Sequence, residues 1–133
     1  MKLAIGTAQF GLDYGVSNKD GQVSNEDVNK ILKAATKAQI TTIDTASDYG
    51  NSEQVLGKVG VKCFDVITKI GAVPESITDV KRWVCEQIEA ALVRLNLNSI
   101  YGFLLHRPNQ LLGKHGDIIF DALSQAKSQR LIK

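Results

Sequence analysis

The stretch Thr41-Thr42-Ile43-Asp44-Thr45-Ala46-Ser47-Asp48-Tyr49-Gly50-Asn51-Ser52-Glu53-Gln54-Val55-Leu56-Gly57 decides the fold. It opens on a β-branched run that reads as a short buried strand and passes through a polar turn from Asp44 to Gly50. A helix is expected from about Ser52 through Leu56, with Gly57 as its stop. Strand, polar turn and helix in that order form half of a βαβ unit, and a parallel strand should follow. The same succession recurs on both sides. Leu3-Ala4-Ile5 lies before it, and Val66-Ile67-Thr68 and the run from Ile100 to Leu105 lie after it, each followed by polar or glycine-bearing residues.

Helical periodicity fills the intervals. Ser24 is the expected N-cap of one helix and Asp27 the acidic third residue of a capping box, with Val28, Ile31, Leu32 and Ala35 on one face. A longer helix is expected after Thr78 as cap, its apolar side made of Val80, Val84, Ile88, Ala91, Leu92 and Leu95. Another is expected after Asp117, where Ile118, Ile119, Ala122, Leu123 and Ala126 share a side. Strands and helices therefore alternate throughout, which predicts an α/β fold with a parallel sheet in one domain over residues 1–133.

Alternation alone fits both an open doubly wound sheet and a barrel. Gly6, Gly11 and Gly15 follow the first run, but they do not form GxGxxG and no helix is expected immediately behind them. That counts against a dinucleotide-binding doubly wound sheet. Length adds a constraint, because 133 residues fall well short of the about 250 that a complete (β/α)8 barrel takes.

Composition narrows the class. Apolar residues are 44% and charged residues 23% of the chain, which fits a soluble globular domain and excludes disordered, fibrous and membrane-spanning types. The 16 basic and 14 acidic side chains are scattered, so no basic stripe offers itself to nucleic acid or lipid. Cys63 and Cys85 lack CxxC spacing; neither a disulfide scaffold nor a metal site is expected, and a reducing cytoplasm is the expected compartment. No apolar run has the length of a signal peptide or a membrane span.

Four polar residues fall at or just after expected strand ends: Asp44, Tyr49, Lys69 and His106. In parallel barrels the loops after strand C-termini build the active site, so these side chains can converge on one mouth. Taken singly, each also suits an ordinary structural role: a turn or cap for Asp44, a wedge for Tyr49, a solvated charge for Lys69, a satisfied core histidine for His106. Together they suit one chemistry. Reducing a carbonyl by hydride leaves negative charge on its oxygen, and an acid must supply a proton. A free tyrosine, with a pKa of about 10, is a poor acid near neutrality; an ammonium beside it favours the phenolate, and a carboxylate keeps that ammonium charged and oriented. Histidine can hydrogen-bond the carbonyl oxygen or help relay the proton.

These residues sit within four recognisable segments: Gly6-Thr7-Ala8-Gln9-Phe10-Gly11, Ile43 to Gly50 with Ser52-Glu53, Ile67-Thr68-Lys69, and Leu104-Leu105-His106-Arg107-Pro108. In order and spacing they resemble the successive signature segments of the aldo-keto reductases, and the resemblance covers essentially the whole chain. It implies a (β/α)8 TIM-barrel type of which this chain holds about the first four βα units, a half-barrel fragment. It implies NADPH-dependent reduction of an aldehyde or ketone to an alcohol, with Tyr49 as general acid, Lys69 as its partner, Asp44 as the counter-ion of the lysine and His106 orienting the substrate carbonyl. Gly6, Thr7 and Asp44 are the implied contacts for the nicotinamide end of NADPH, and most of the cofactor site is implied to lie in the other half. Arg107 falls where the family varies residues lining the substrate pocket. The opening from Gly6 to Val16 is similar to a bacterial branch associated with polysaccharide or amino-sugar metabolism, which implies a small-molecule carbonyl substrate of sugar-like type.

The chain departs from the family pattern before the fourth strand, where Asn98-Ser99-Ile100-Tyr101-Gly102 replaces an acidic run, and at Gln129 to Lys133, where the fifth strand should begin. On this reading activity is not expected of the isolated chain. Two other readings compete. Lys69 at a strand end could instead serve as a Schiff-base nucleophile. A non-catalytic half-barrel could act as a binding module or self-associate through its open sheet edges and uncovered inner face.

Overall fold

In the computed structural model, which describes residues 3–133, the apolar runs form β1 (Ala4–Gly6), β2 (Thr42–Asp44), β3 (Asp65–Ile70) and β4 (Gly102–Leu105). All pair in parallel in the order β1-β2-β3-β4. A doubly wound sheet reverses its strand order at a switch point; here every crossover steps to the next strand in the same direction, the winding of a barrel wall.

That winding puts the helices on one face. Ile5 pairs with Ile43 and Ile43 with Val66, and this row packs into a core with Val28, Leu32, Leu56, Val84, Ile88 and Ile119. Side chains alternate across a strand, so the other row faces the opposite way. It runs Gly6, Asp44, Ile67 and Gly102, with Lys69 beside Leu104 one step on. Leu104 is 48% exposed, which marks this second face as open.

The helices are α1 (Ala8–Gly11), α2 (Asn25–Lys37), α3 (Ser52–Val59), α4 (Val80–Leu95) and α5 (Gly116–Ser128), with a 3-10 turn at Pro108–Leu112. Helix α3 packs on α4, and α4 on α5. Among the described residues no helix is long and apolar enough to cross a membrane. Ser24 caps α2 as expected, accepting from the Asp27 N–H at 3.1 Å, and its hydroxyl donates to the Asp27 carboxylate at 2.7 Å. That hydrogen bond, then Lys30, holds the Asp27 carboxyl below its ordinary value.

Several expectations are corrected. The cap of α4 is Asp79, which accepts from the Arg82 N–H at 3.0 Å, one residue beyond Thr78. Helix α5 starts at Gly116, and Ile31 and Ile118, assigned to apolar faces, are 36% and 41% exposed at the edges of theirs. A single turn, α1, does follow β1. Lys69 lies within β3 rather than after it, and Asp44 is the last residue of β2. Ile100 and Tyr101 precede β4; Ile100 instead bridges Ile132 in parallel, its N–H donating to Leu131 O at 2.9 Å while the Lys133 N–H donates to Ile100 O at 3.2 Å.

Gly57 does not stop α3, which continues to Val59 and ends at Gly60 with a φ of +96°. The missing side chain at Gly57 serves packing instead, since a Cβ there would fall on the Arg94 carbonyl oxygen of α4. Alanine gains roughly 1 kcal/mol in helix propensity over glycine, but overpacking against backbone costs typically about 1–3 kcal/mol. Gly57→Ala is therefore expected to destabilise the fold, read as a lower urea midpoint; an unchanged or higher midpoint would remove the packing role.

Candidate active site

Three successive strands deliver the four groups to the same end of the sheet: β2 and the turn after it Asp44 and Tyr49, β3 Lys69, and the end of β4 His106. From β2, Asp44 points to the open face beside Gly6 of β1, its registered neighbour. Lys69 of β3 reaches across to it, donating to Asp44 Oδ1 at 2.7 Å and to the Thr45 carbonyl at 2.7 Å. The ammonium is thereby held between two acceptors with its side chain only 15% exposed. It lies 5.2 Å from the centre of the Tyr49 ring.

Tyr49 owes its position to a backbone-tight turn. Gly50 adopts a φ of +56°, and a Cβ on it would fall on Gly11 O; a Cβ on Gly11 would fall on Tyr49 O. The α1 turn and the Tyr49 turn thus touch main chain to main chain, which only glycine permits at those points. Beneath them lies a buried hydroxyl network. Thr7 Oγ1 donates to Asp44 O at 3.0 Å, Ser52 Oγ lies 2.9 Å from both Thr7 O and Thr7 Oγ1, and Thr45 Oγ1 is 3.1 Å from Ser52 Oγ. Thr7, Thr45 and Ser52 are fully buried, so the Thr7 hydroxyl is directed into the wall rather than outward.

His106, the residue after β4, is fixed by its N–H donating to Ile70 O at 2.8 Å. Its ring stands edge-on to Tyr49, centroids 5.8 Å apart at 87°. Nδ1 lies 3.0 Å from Asp48 Oδ2 but out of line for a hydrogen bond, and this buried nitrogen has no other partner among the described residues. The four expected residues are thus brought together. Gly6, Thr7, Asp44 and Tyr49 also line an open cavity of about 300 Å³, together with Ala8, Gln9, Tyr14 and Gly15. Arg107 is exposed beside His106, with no ion-pair partner among the described residues. Its carbonyl accepts from the Gln110 N–H at 3.1 Å, and Gln110 Oε1 in turn accepts from the Val73 N–H at 2.8 Å, tying the β4 loop to the β3 loop.

Two groups escaped the sequence reading. Asp48 lies within the polar turn from Asp44 to Gly50, and no local sequence signal brings it to His106. Glu53 is 2% exposed and joins three elements, accepting from Thr68 Oγ1 at 2.5 Å and from Arg94 Nε at 2.6 Å. A glutamate in the first turn of a helix ordinarily reads as a solvated dipole partner.

A family model described as the aldo/keto reductase family matches residues 2–133. The aldo-keto reductase str7 of Strobilurus tenacellus is 35% identical over 111 residues, a match covering 77% of this chain and 33% of that protein. An aldo-keto reductase of Mycobacterium ulcerans is 30% identical over 112 residues, covering 80% and 38% respectively. A solved aldo-keto reductase structure from Pseudomonas aeruginosa superposes with a TM-score of 0.79 at 26% identity, over 97% of this chain and 52% of the other. The chain therefore spans about a third of the curated relatives it matches and about half of that solved barrel.

Proposed function

This chain belongs to the aldo/keto reductase family, and on that premise we propose that it is the first half of a barrel reductase that converts a small aldehyde or ketone to an alcohol with NADPH. The observation that carries the reading is the Lys69 ammonium, held by Asp44 and the Thr45 carbonyl against the Tyr49 ring. Such an arrangement suits a tyrosine that gives up its proton, because the fixed positive charge stabilises the phenoxide oxygen left behind. Tyr49 is the general acid in this reading, Lys69 its electrostatic partner and Asp44 the counter-ion.

The chain offers a fitting seat to one end of a dinucleotide. A Cβ at Gly6 would meet nothing within 4 Å, so open space adjoins its backbone, with the Asp44 carboxylate of the neighbouring strand alongside. Gly6 and Asp44 would hold the nicotinamide ribose there, with Thr7 behind them, its buried hydroxyl donating to the Asp44 carbonyl and fixing the wall of the seat. When bound, the reduced nicotinamide supplies the hydride. Arg107 at the exposed rim is the proposed substrate-facing residue, suited to a polar, sugar-like carbonyl. The remaining barrel strands are proposed to cover the open sheet face and to supply the phosphate contacts. We place the reaction in the cytoplasm, a setting consistent with the free thiols of Cys63 and Cys85.

The Schiff-base alternative requires a neutral Lys69 with a free lone pair, and two acceptors at 2.7 Å favour the ammonium instead. The reading is tested by following NADPH oxidation in a protein carrying this segment with its completed barrel, across a panel of aldehydes and ketones. Lys69→Met is expected to lower turnover by about 10²–10³-fold, the scale of losing one preorganised charge stabiliser. A carbonyl panel that leaves NADPH unoxidised would overturn the assignment, as would full activity in the variant.

A further inference from the structure

The contact between Asp48 and His106 has no part in the reaction scheme above. Its geometry is nonetheless built. The Asp48 turn is pinned by the Ser47 N–H donating to Lys69 O at 2.9 Å and the Tyr49 N–H donating to Ala46 O at 3.1 Å. Ser47 Oγ donates to Asp48 Oδ1 at 3.1 Å. On the far side lies Gly71, where a Cβ would come within 2.8 Å of Asp48 Oδ1 and 3.3 Å of Oδ2, so the absence of a side chain there makes room for the carboxylate. Asp48 Oδ2 is thereby brought 3.0 Å from His106 Nδ1, a buried ring nitrogen with no hydrogen-bond partner among the described residues.

A neutral imidazole carries its one proton on either nitrogen, and the surroundings decide which. If Nδ1 held the lone pair, two acceptors would face each other at 3.0 Å. With the proton on Nδ1, a small rotation of the half-exposed Asp48 side chain completes a charge-assisted hydrogen bond. We infer that Asp48 is a positioning residue for His106, holding the proton on Nδ1 and leaving Nε2 with the lone pair.

The consequence for the reaction rests on the reductase reading; the contact does not. Neutral His106 in this tautomer has no Nε2 proton to donate to a carbonyl oxygen, which selects the proton-relay role. After Tyr49 gives its proton to the substrate oxygen, Nε2 takes a proton from a solvent hydronium, which is left as water, and passes it to the Tyr49 phenoxide, and the imidazole returns to its starting tautomer. One solvent proton replaces the one transferred, and no bond other than O–H and N–H changes in this step.

The test is long-range proton–nitrogen correlation NMR on the ¹⁵N-labelled chain at a pH of about 8, where an ordinary histidine is neutral. His106 should show a protonated Nδ1 in about tenfold or greater excess over the other tautomer, the scale of a charge-assisted hydrogen bond. Asp48→Ala, at an exposed position, should abolish that excess. Gly71→Ala should reduce it with Asp48 still present, because the added methyl displaces the carboxylate. The His115 signals, in the same spectra, should stay put in both variants. A wild-type His106 protonated on Nε2, or His106 signals unmoved by either variant, would overturn the inference. Turnover is not needed for this readout, so a protein without reductase activity still answers it.

Discussion

Replacing Tyr49 by phenylalanine is expected to lower carbonyl reduction by about 10²–10⁴-fold, the range attributable to a positioned general acid. The reasoning starts from what the change leaves intact. The phenyl ring keeps its edge-on contact with His106 and its place beneath the Lys69 ammonium. The turn that holds it is fixed by main-chain contacts of Gly11 and Gly50, which do not involve the hydroxyl. Proton donation is what disappears. The residues proposed to seat the nicotinamide end, Gly6 and Asp44 with Thr7 behind them, are untouched, so the dissociation constant for NADPH should stay within a few-fold. A fall in kcat at unchanged cofactor affinity separates lost transition-state chemistry from lost binding. Steady-state rates and fluorescence titration on the protein carrying this segment with its completed barrel provide both numbers, and wild-type turnover in Tyr49→Phe would sink the general-acid role.

The second large effect is on stability. Glu53 lies in α3 at 2% exposure, with one carboxylate oxygen taken by Thr68 of β3 and the other by Arg94 of α4. Glu53→Ala would leave the Arg94 guanidinium, only 25% exposed, without its counter-ion and the buried Thr68 hydroxyl without its acceptor. Breaking a buried pair from one side typically costs about 3–5 kcal/mol, against a total of about 5–15 kcal/mol for a folded domain. A loss of that size should appear as a marked drop in the denaturation midpoint. Removing the stranded charge as well, in Glu53→Ala with Arg94→Met, should recover part of it. A single variant as stable as the parent would show that water already satisfies these groups.

The two predictions draw on different kinds of information. Tyr49 was legible from sequence because a strand end announces itself locally. The β-branched run before Asp44 and the glycine turn after it need no distant partner to be read, and a residue following such a strand must lie at the C-terminal end of a parallel sheet. The same holds for His106 after β4, for Lys69 one residue before the end of β3, and for helix α2, whose cap and apolar spacing are properties of neighbouring residues. Glu53 could not be read that way. Its burial depends on Thr68 and Arg94, which lie 15 and 41 positions away and approach only after α3 has docked on β3 and α4.

Gly57 makes the same division within one residue. Composition rules assign a glycine after an apolar helical run to the helix end, since local signals carry no knowledge of what packs alongside. The neighbouring Arg94 carbonyl gives it a different task and moves the helix end to Gly60, whose φ is +96°. Strand order is a further case. Alternating strands and helices by themselves are compatible with either winding of a parallel sheet; the barrel winding that the resemblance implies is borne out by pairing in the order β1-β2-β3-β4. The sequence by itself therefore determined the elements, their alternation and the four residues at the strand ends, because periodicity, β-branching and turn chemistry act over a few neighbouring positions. The tertiary structure alone decided the buried Glu53 pair, the work of Gly57 and the meeting of Asp48 with His106, because each depends on groups far apart in the chain whose separation in space is set only when the layers pack.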